Sequence, residues 1–385
     1  MQNQRQNEAV ENGFKALQQQ RVKEAYEVFK SAYEAGPEDE RISMGLAIAA
    51  RGVGDHDVSL SAIEKFLTSN KTHLNALILR GDALKACGEP RRAVASYMAA
   101  LQAVPPNAKL DQKTINELQR AQRECSNAAG LYESYLRDFV SDALGSEVCA
   151  AGTRSALALD MVFGRAQIYH QQPHRFYFPE LPQRQFYDRR EFDWAGAVEA
   201  AAEDMKSEFA LLAAKEERFG AYVTTDGREP HLAQHALTGS RDWSAIHLIR
   251  NGERFEDNLA VCPLTMTALE HVPIPRVKAS SPSVLFSRLL PGAHIPPHHG
   301  MLNTRLICHL PLVLPEQCTI RVGNQTRTWQ DGELLVFDDT IEHEARNASN
   351  QSRSVLIFDV WRPELTEDDR ALVTAIFDGI EAFGT

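Results

Sequence analysis

Apolar residues return at three- and four-residue spacing through the first third of the chain, the period of helices that bury one face. The pattern itself also repeats. Gly13, Ala25, Phe29, Ala32 and Pro37 recur as Gly81, Ala93, Tyr97, Ala100 and Pro105, each partner 68 positions on, or two steps of 34. A middle copy over about residues 40–73 keeps only Ala47, Ser59 and Ile63 at the matching places. The polar, helix-favouring stretch 108–130 suits a capping helix, and helical spacing continues over 131–163. Between Tyr169 and Trp194, six aromatics (Phe176, Tyr177, Phe178, Phe186, Tyr187, Phe192) interleave with Pro173, Pro179 and Pro182. That composition predicts an irregular arm wrapped across a domain surface. Residues 194–215 read as an alanine-rich helix, and 221–282 as mixed and loop-rich.

From Ser283 the period changes to two. Strands are expected over 284–290, 305–314, 319–322, 326–329, 333–337 and 353–361, with Gly323-Asn324 and Asp331-Gly332 as turns. Short antiparallel strands at this spacing predict a jelly-roll barrel, whose mouth has room for a metal and a small cosubstrate. The pattern divides the chain into helical repeats (1–130), a helical connector and arm (131–240), and a β-rich core with a C-terminal helix (241–385). This is an α+β multidomain organisation.

Composition narrows the function classes. A chain of 385 residues is too long for one ordinary core. Its 41 basic and 52 acidic side chains leave a net charge of −11, which argues against a nucleic-acid binder and against docking on an anionic membrane. No apolar run reaches bilayer-spanning length, and the first residues are polar, unlike a signal peptide. Six cysteines (Cys87, Cys125, Cys149, Cys262, Cys308, Cys318) stand without a C-x-x-C pair, as in a reduced, cytoplasmic protein.

The chemistry gathers in the β region. His294, His298, His299 and His309 fall within sixteen residues, and His343 follows 45 after His298. Adjacent strand residues face opposite sides, so His298 and His299 are not expected to share one face. Spacing alone leaves a metal site and ordinary satisfied histidines equally open, because no fixed zinc-like frame is present.

The run Pro291-Gly292-Ala293-His294-Ile295-Pro296-Pro297-His298-His299-Gly300-Met301-Leu302-Asn303-Thr304-Arg305-Leu306-Ile307-Cys308-His309-Leu310 resembles the core of the aspartyl/asparaginyl β-hydroxylase family. The resemblance continues through Phe337-Asp338-Asp339-Thr340-Ile341-Glu342-His343-Glu344, Arg353, and Asp359-Val360-Trp361-Arg362-Pro363-Glu364-Leu365. It spans about a fifth of the chain, with a weaker echo at Phe178-Pro179-Glu180-Leu181-Pro182. The N-terminal spacing is similar to tetratricopeptide repeats, a pairing also met in this family. The resemblance implies a tetratricopeptide-type α-helical solenoid followed by a double-stranded β-helix oxygenase that uses Fe(II) and 2-oxoglutarate. By motif position it assigns His298 and His343 to the iron, and Ser287 and Arg353 to the distal carboxylate of 2-oxoglutarate. His309 falls near the metal-side carboxylate, and Arg305 at the substrate carboxylate. The implied substrate is an Asp or Asn β-carbon in a small molecule, peptide or carrier-bound group.

The residues themselves fit these roles. Arg305 and His309 are four apart on one strand and share a face, while Cys308 points away. Arg353 shares its face with Val355 and Ile357, so a desolvated guanidinium there needs an anion; the alternative is an ion pair with a nearby Asp. Gly300 stands where many non-haem iron sites carry a carboxylate. Ile307 stands where some members of the family carry an Arg. Asp338, Asp339, Glu342 and Glu344 read as groups beside the site or at the surface. Other readings stay open: a 2-oxoglutarate-dependent halogenase, with chloride in the place Gly300 leaves; a lipid acyl-chain hydroxylase; or a non-enzymatic protein that works through its repeats. The repeat groove suits a protein partner, or else the array is a packing module.

Overall fold

The computed structural model describes residues 2–36, 39–224, 236–277 and 280–384; Pro37 of the repeat pattern lies outside them. The chain divides into two units, Met1–Arg165 and Ala166–Thr385.

In the first unit the 34-residue period becomes helix pairs: α1 (Gln2–Gln18) with α2 (Val22–Glu34), α3 (Glu40–Val53) with α4 (His56–Ser69), and α5 (Leu74–Ala86) with α6 (Pro90–Gln102). The recurring glycine and aromatic explain each other. A Cβ on Gly13 or Gly45 would strike the Phe29 ring, and one on Gly81 would strike Tyr97. Phe29 is fully buried and Tyr97 nearly so. The degenerate middle copy keeps its packing, since Ala47, Ser59 and Ile63 are all fully buried. There Ser59 replaces the alanine of the outer copies, and its hydroxyl donates to the Ala47 carbonyl at 2.8 Å, so no buried polar group is orphaned.

The capping helix differs from expectation. Helix α7 runs unbroken over Gln112–Leu144, so the expected boundary at 130/131 cuts a helix. Gly130 does not stop it, because an isolated mid-helix glycine costs only about 1 kcal/mol. After α8 (Arg154–Val162), the boundary falls at 165/166.

The second unit is a jelly roll of two antiparallel sheets. The larger runs β1 (Phe186–Tyr187), β10 (Leu335–Phe337), β7 (Arg305–Val313), β12 (Arg353–Trp361), β5 (Val284–Leu289), β3 (Trp243–Arg250) and β2 (Gly220–Ala221), with β4 (Glu253–Arg254) paired to β3. The smaller runs β6 (His294–His298), β11 (His343–Asn347), β8 (Cys318–Val322) and β9 (Gln325–Arg327). One face of the large sheet presents Phe286, Leu306, Cys308 and Phe358 to α9 (Ala195–Ala200) and α10 (Ala202–Ala213), through Val198, Met205, Phe209 and Leu212. The other face turns toward the small sheet and lines a cavity. The arm delivers edge strand β1, pairs Phe176 with Leu302, and buries Gln171, whose amide donates to Asp338 at 2.6 Å.

Four further elements depart from the sequence reading. The alanine-rich helix is two helices, broken at Ala201. Strands β6 and β11, which carry the histidines, were not expected as strands. The stretch read as loop-rich contains β3, buried on both sides and therefore without period-two alternation.

Candidate active site

Two short strands bring His298 and His343 together. They are direct cross-strand partners in the β6–β11 pair, with ring centroids 4.0 Å apart. Each ring is oriented by backbone: His298 Nδ1 meets the Pro296 carbonyl at 2.8 Å, and His343 Nδ1 meets the Ile341 carbonyl at 3.1 Å. A carbonyl only accepts, so Nδ1 carries the proton and the lone pair is left on Nε2, the tautomer a metal requires. Burial first, and then the neighbouring His298, holds the His343 imidazole well below its usual pKa, keeping it neutral. Among the described residues no cluster of three or more His, Cys, Asp or Glu is set to hold a metal.

Across a cavity of about 520 Å³, the large sheet supplies an unneutralised cation. Arg353 is 1 % exposed, and among the described residues its Nε and Nη1 have no hydrogen-bond partner. Among the described residues no acid pairs with it, so the ion-pair alternative is not met there. Its guanidinium lies 4.7 Å from the Trp329 ring centre, and burial lowers its pKa to about 10. Trp329 Nε1 is likewise buried without an acceptor, as is His309 Nδ1. The Trp329 ring stacks on His309. Ser287 pairs with Val355 in the β5–β12 ladder, two residues from Arg353 and on the same face. Its Oγ accepts from Trp243 Nε1 at 3.1 Å, so the hydroxyl proton remains available to a second acceptor. A cluster of buried donors without an acceptor is unstable unless an anion joins it. The residues present therefore fit both a metal on the histidine pair and a carboxylate at Arg353.

Arg305 stands differently. It lines the same cavity, but its Nη1 donates to Asp359 at 2.8 Å and to the Ser280 carbonyl at 3.1 Å. Its charge is already matched within the chain. His299 lies just past the end of β6, where strict alternation no longer applies, so it borders the cavity as well, edge-on to His174. Sequence reasoning passed over Trp243 and Trp329, and read Asp339 only as a group beside the site or at the surface. The place that Gly300 opens is filled: a Cβ there would collide with the Asp339 carboxylate, and the Gly300 amide donates to the Asp339 carbonyl at 2.7 Å. Burial pushes the Asp339 carboxyl up to about 7. The space beside Gly300 is thus taken by the Asp339 side chain.

A two-sheet jelly roll with a histidine pair facing a buried arginine across its cavity defines a small-molecule site of the double-stranded β-helix class. Residues 199–363 match the family model for aspartyl/asparaginyl β-hydroxylase. Human aspartyl/asparaginyl β-hydroxylase is 40% identical over 136 residues, which is 35% of this chain and 18% of that protein. An ornithine lipid ester-linked acyl 2-hydroxylase of Rhizobium tropici is 31% identical over 182 residues, 46% of this chain and 60% of that one. The chain thus spans less than two thirds of these relatives. For the helical repeats, the first tetratricopeptide domain of human RPAP3 aligns with 31% of this chain and 91% of its own at 22% identity and a TM-score of 0.26. No helix among the described residues is long and apolar enough to cross a membrane.

Proposed function

We propose that this protein is an Fe(II)- and 2-oxoglutarate-dependent hydroxylase acting on an unactivated carbon. The observation that carries this reading is the pairing, across one cavity, of two imidazoles oriented through Nδ1 with a buried arginine that has no acid partner among the described residues. His298 and His343 would hold the metal, which with 2-oxoglutarate and dioxygen supplies the oxidising power for inserting oxygen into a C–H bond. Arg353 binds the distal carboxylate through its fork, and the Ser287 hydroxyl, fixed by Trp243, donates to the same group. His309, kept neutral mainly by burial, offers a hydrogen bond without adding charge. The apolar walls of the cavity exclude water, which strengthens each of these contacts. An Asp or Asn β-carbon is the substrate the family's name suggests. The bacterial relative named for a lipid acyl chain makes an apolar substrate the second reading, and the aliphatic residues on the cavity floor favour it.

The test is succinate formation from 2-oxoglutarate by purified protein supplied with Fe(II). His298→Ala and His343→Ala should each lower metal affinity and turnover by more than the roughly 10–100-fold that loss of a ligand's outer-shell partner costs, while His299→Ala keeps most of both. An active His298→Ala protein beside an inactive His299→Ala protein would reverse the ligand assignment.

A further inference from the structure

The cavity has a second polar corner that the reading above leaves unused, and a β-bulge makes it. In the β3–β5 ladder His247 pairs with Leu285 and Ile249 with Val284, so Leu248 is an extra residue. Leu248 and Ile249 both pack into the helix-side core. The alternation is thereby reset, and Arg250 turns to the cavity side with His247, as bulges beside binding sites commonly re-aim a side chain. The position is pinned by a tight hairpin: Asn251 and Gly252 both have positive φ (49° and 88°), the mirror-image turn that an Asn-Gly pair favours.

Arg250 Nη2 donates to the Thr224 hydroxyl at 2.9 Å, and among the described residues no acid pairs with it. Nearby cavity-side and edge arginines contrast with this, Arg305 being matched by Asp359 and Arg288 by Glu216. Beside it His247 has a buried Nδ1 without a partner, its ring against Phe255; burial first, and then Arg250, lowers its pKa to about 4. The floor leading from this corner toward the histidine pair is aliphatic: Leu285, Val355 and Ile357 cluster with Ala245, Ile307 and Tyr222. Trp243, whose ring lies 5.9 Å from His298, and Arg250 are the two ends of β3, roughly 20 Å apart at ordinary strand rise.

We propose that Arg250, with His247, forms the substrate-recognition corner of this site. It takes the carboxylate of a substrate whose reacting carbon is joined to that carboxylate by an aliphatic chain lying on Leu285 and Ile357. The assignment to substrate rests on the hydroxylase reading. A carboxylate is the anion chosen because it matches the guanidinium fork, with the neutral imidazole giving a further hydrogen bond and no competing charge.

Octanoate is the probe, titrated calorimetrically into the full-length chain, with octanamide and octyl phosphate as comparisons. Octanoate should bind at least tenfold more tightly than octanamide. Arg250→Gln should weaken it at least tenfold and His247→Leu several-fold, whereas Arg353→Met should change it less than twofold. Binding that survives Arg250→Gln, or that falls equally in Arg353→Met, overturns the assignment. So does a wild-type chain that ignores octanoate, or one that prefers octyl phosphate. Binding of 2-oxoglutarate with Mn(II) is measured in the same samples: its absence removes the hydroxylase reading, while the octanoate result on Arg250 decides the corner independently.

Discussion

Arg353 shows how one side chain can carry both a cost and a function. A guanidinium 1 % exposed, with two nitrogens unpaired, destabilises the folded state until an anion arrives. Replacing it by an apolar group of similar length removes that cost, although the contact with Trp329 is lost. Arg353→Met should therefore melt at the same temperature as wild type or a few degrees higher, since about 1 kcal/mol moves a unit of this size by ~2–4 °C. Its affinity for 2-oxoglutarate should fall by about 2–5 kcal/mol, the cost of deleting one partner of a buried charged contact. Arg353→Lys should recover only part of this, because an ammonium cannot form the fork. Paired thermal melts and 2-oxoglutarate titrations decide it; a large loss of melting temperature with intact binding would make Arg353 structural. In the sequence, His298, His343, Ser287 and Arg353 stand out by their place in the family motif, and the period of two adds only that Arg353 shares a face with Val355 and Ile357. The sequence does not single out Asp339, which sits beside another aspartate and gains its role only when folding sets it against Gly300.

Among the elements, the two short loops that flank the histidine strands are locked together by that contact. Gly300→Asp, the change that would write the missing carboxylate into the motif, meets the Asp339 side chain instead. It should cost about 1–3 kcal/mol of stability as overpacking and lower metal binding rather than raise it. Adding Asp339→Gly should recover most of both, a coupling that a double-mutant cycle on melting temperature and metal content would measure. Additive effects would mean the two loops do not compete for the same space. Legibility also varies by element. Strands β5, β7 and β12 are readable because one face is aliphatic and the other carries functional residues. Strand β3 is not, because a helix layer covers one face and the cavity closes the other, erasing alternation. Its one clear signal is Asn251-Gly252, whose turn marks where it ends. Strands β6 and β11 hide behind Pro296, Pro297 and charged neighbours, and only the histidine spacing hints at them.

For the whole molecule the division at 165/166 has a practical outcome. A fragment beginning at residue 131 starts inside α7 and keeps Leu131, Tyr132, Tyr135 and Phe139, all more than half exposed, on a helix stripped of its first half. A fragment of residues 166–385 carries both sheets and every residue of the cavity. The shorter fragment should bind 2-oxoglutarate with Mn(II) within about threefold of the full chain, a change under 1 kcal/mol, and stay monodisperse by light scattering where the longer one aggregates. Loss of binding in a well-folded 166–385 fragment would show that the repeats support the site. The placement of indoles in the cavity has one more consequence. Of four tryptophans, Trp243 lies 5.9 Å from His298 and Trp329 stacks on His309 beside Arg353. The chain thus carries two optical reporters within one site, one beside His298 and one against His309 and Arg353. A paramagnetic ion on the histidines should quench the emission of Trp243 first, and a carboxylate at Arg353 should shift that of Trp329, so that Trp243→Phe and Trp329→Phe each silence one signal and leave the other.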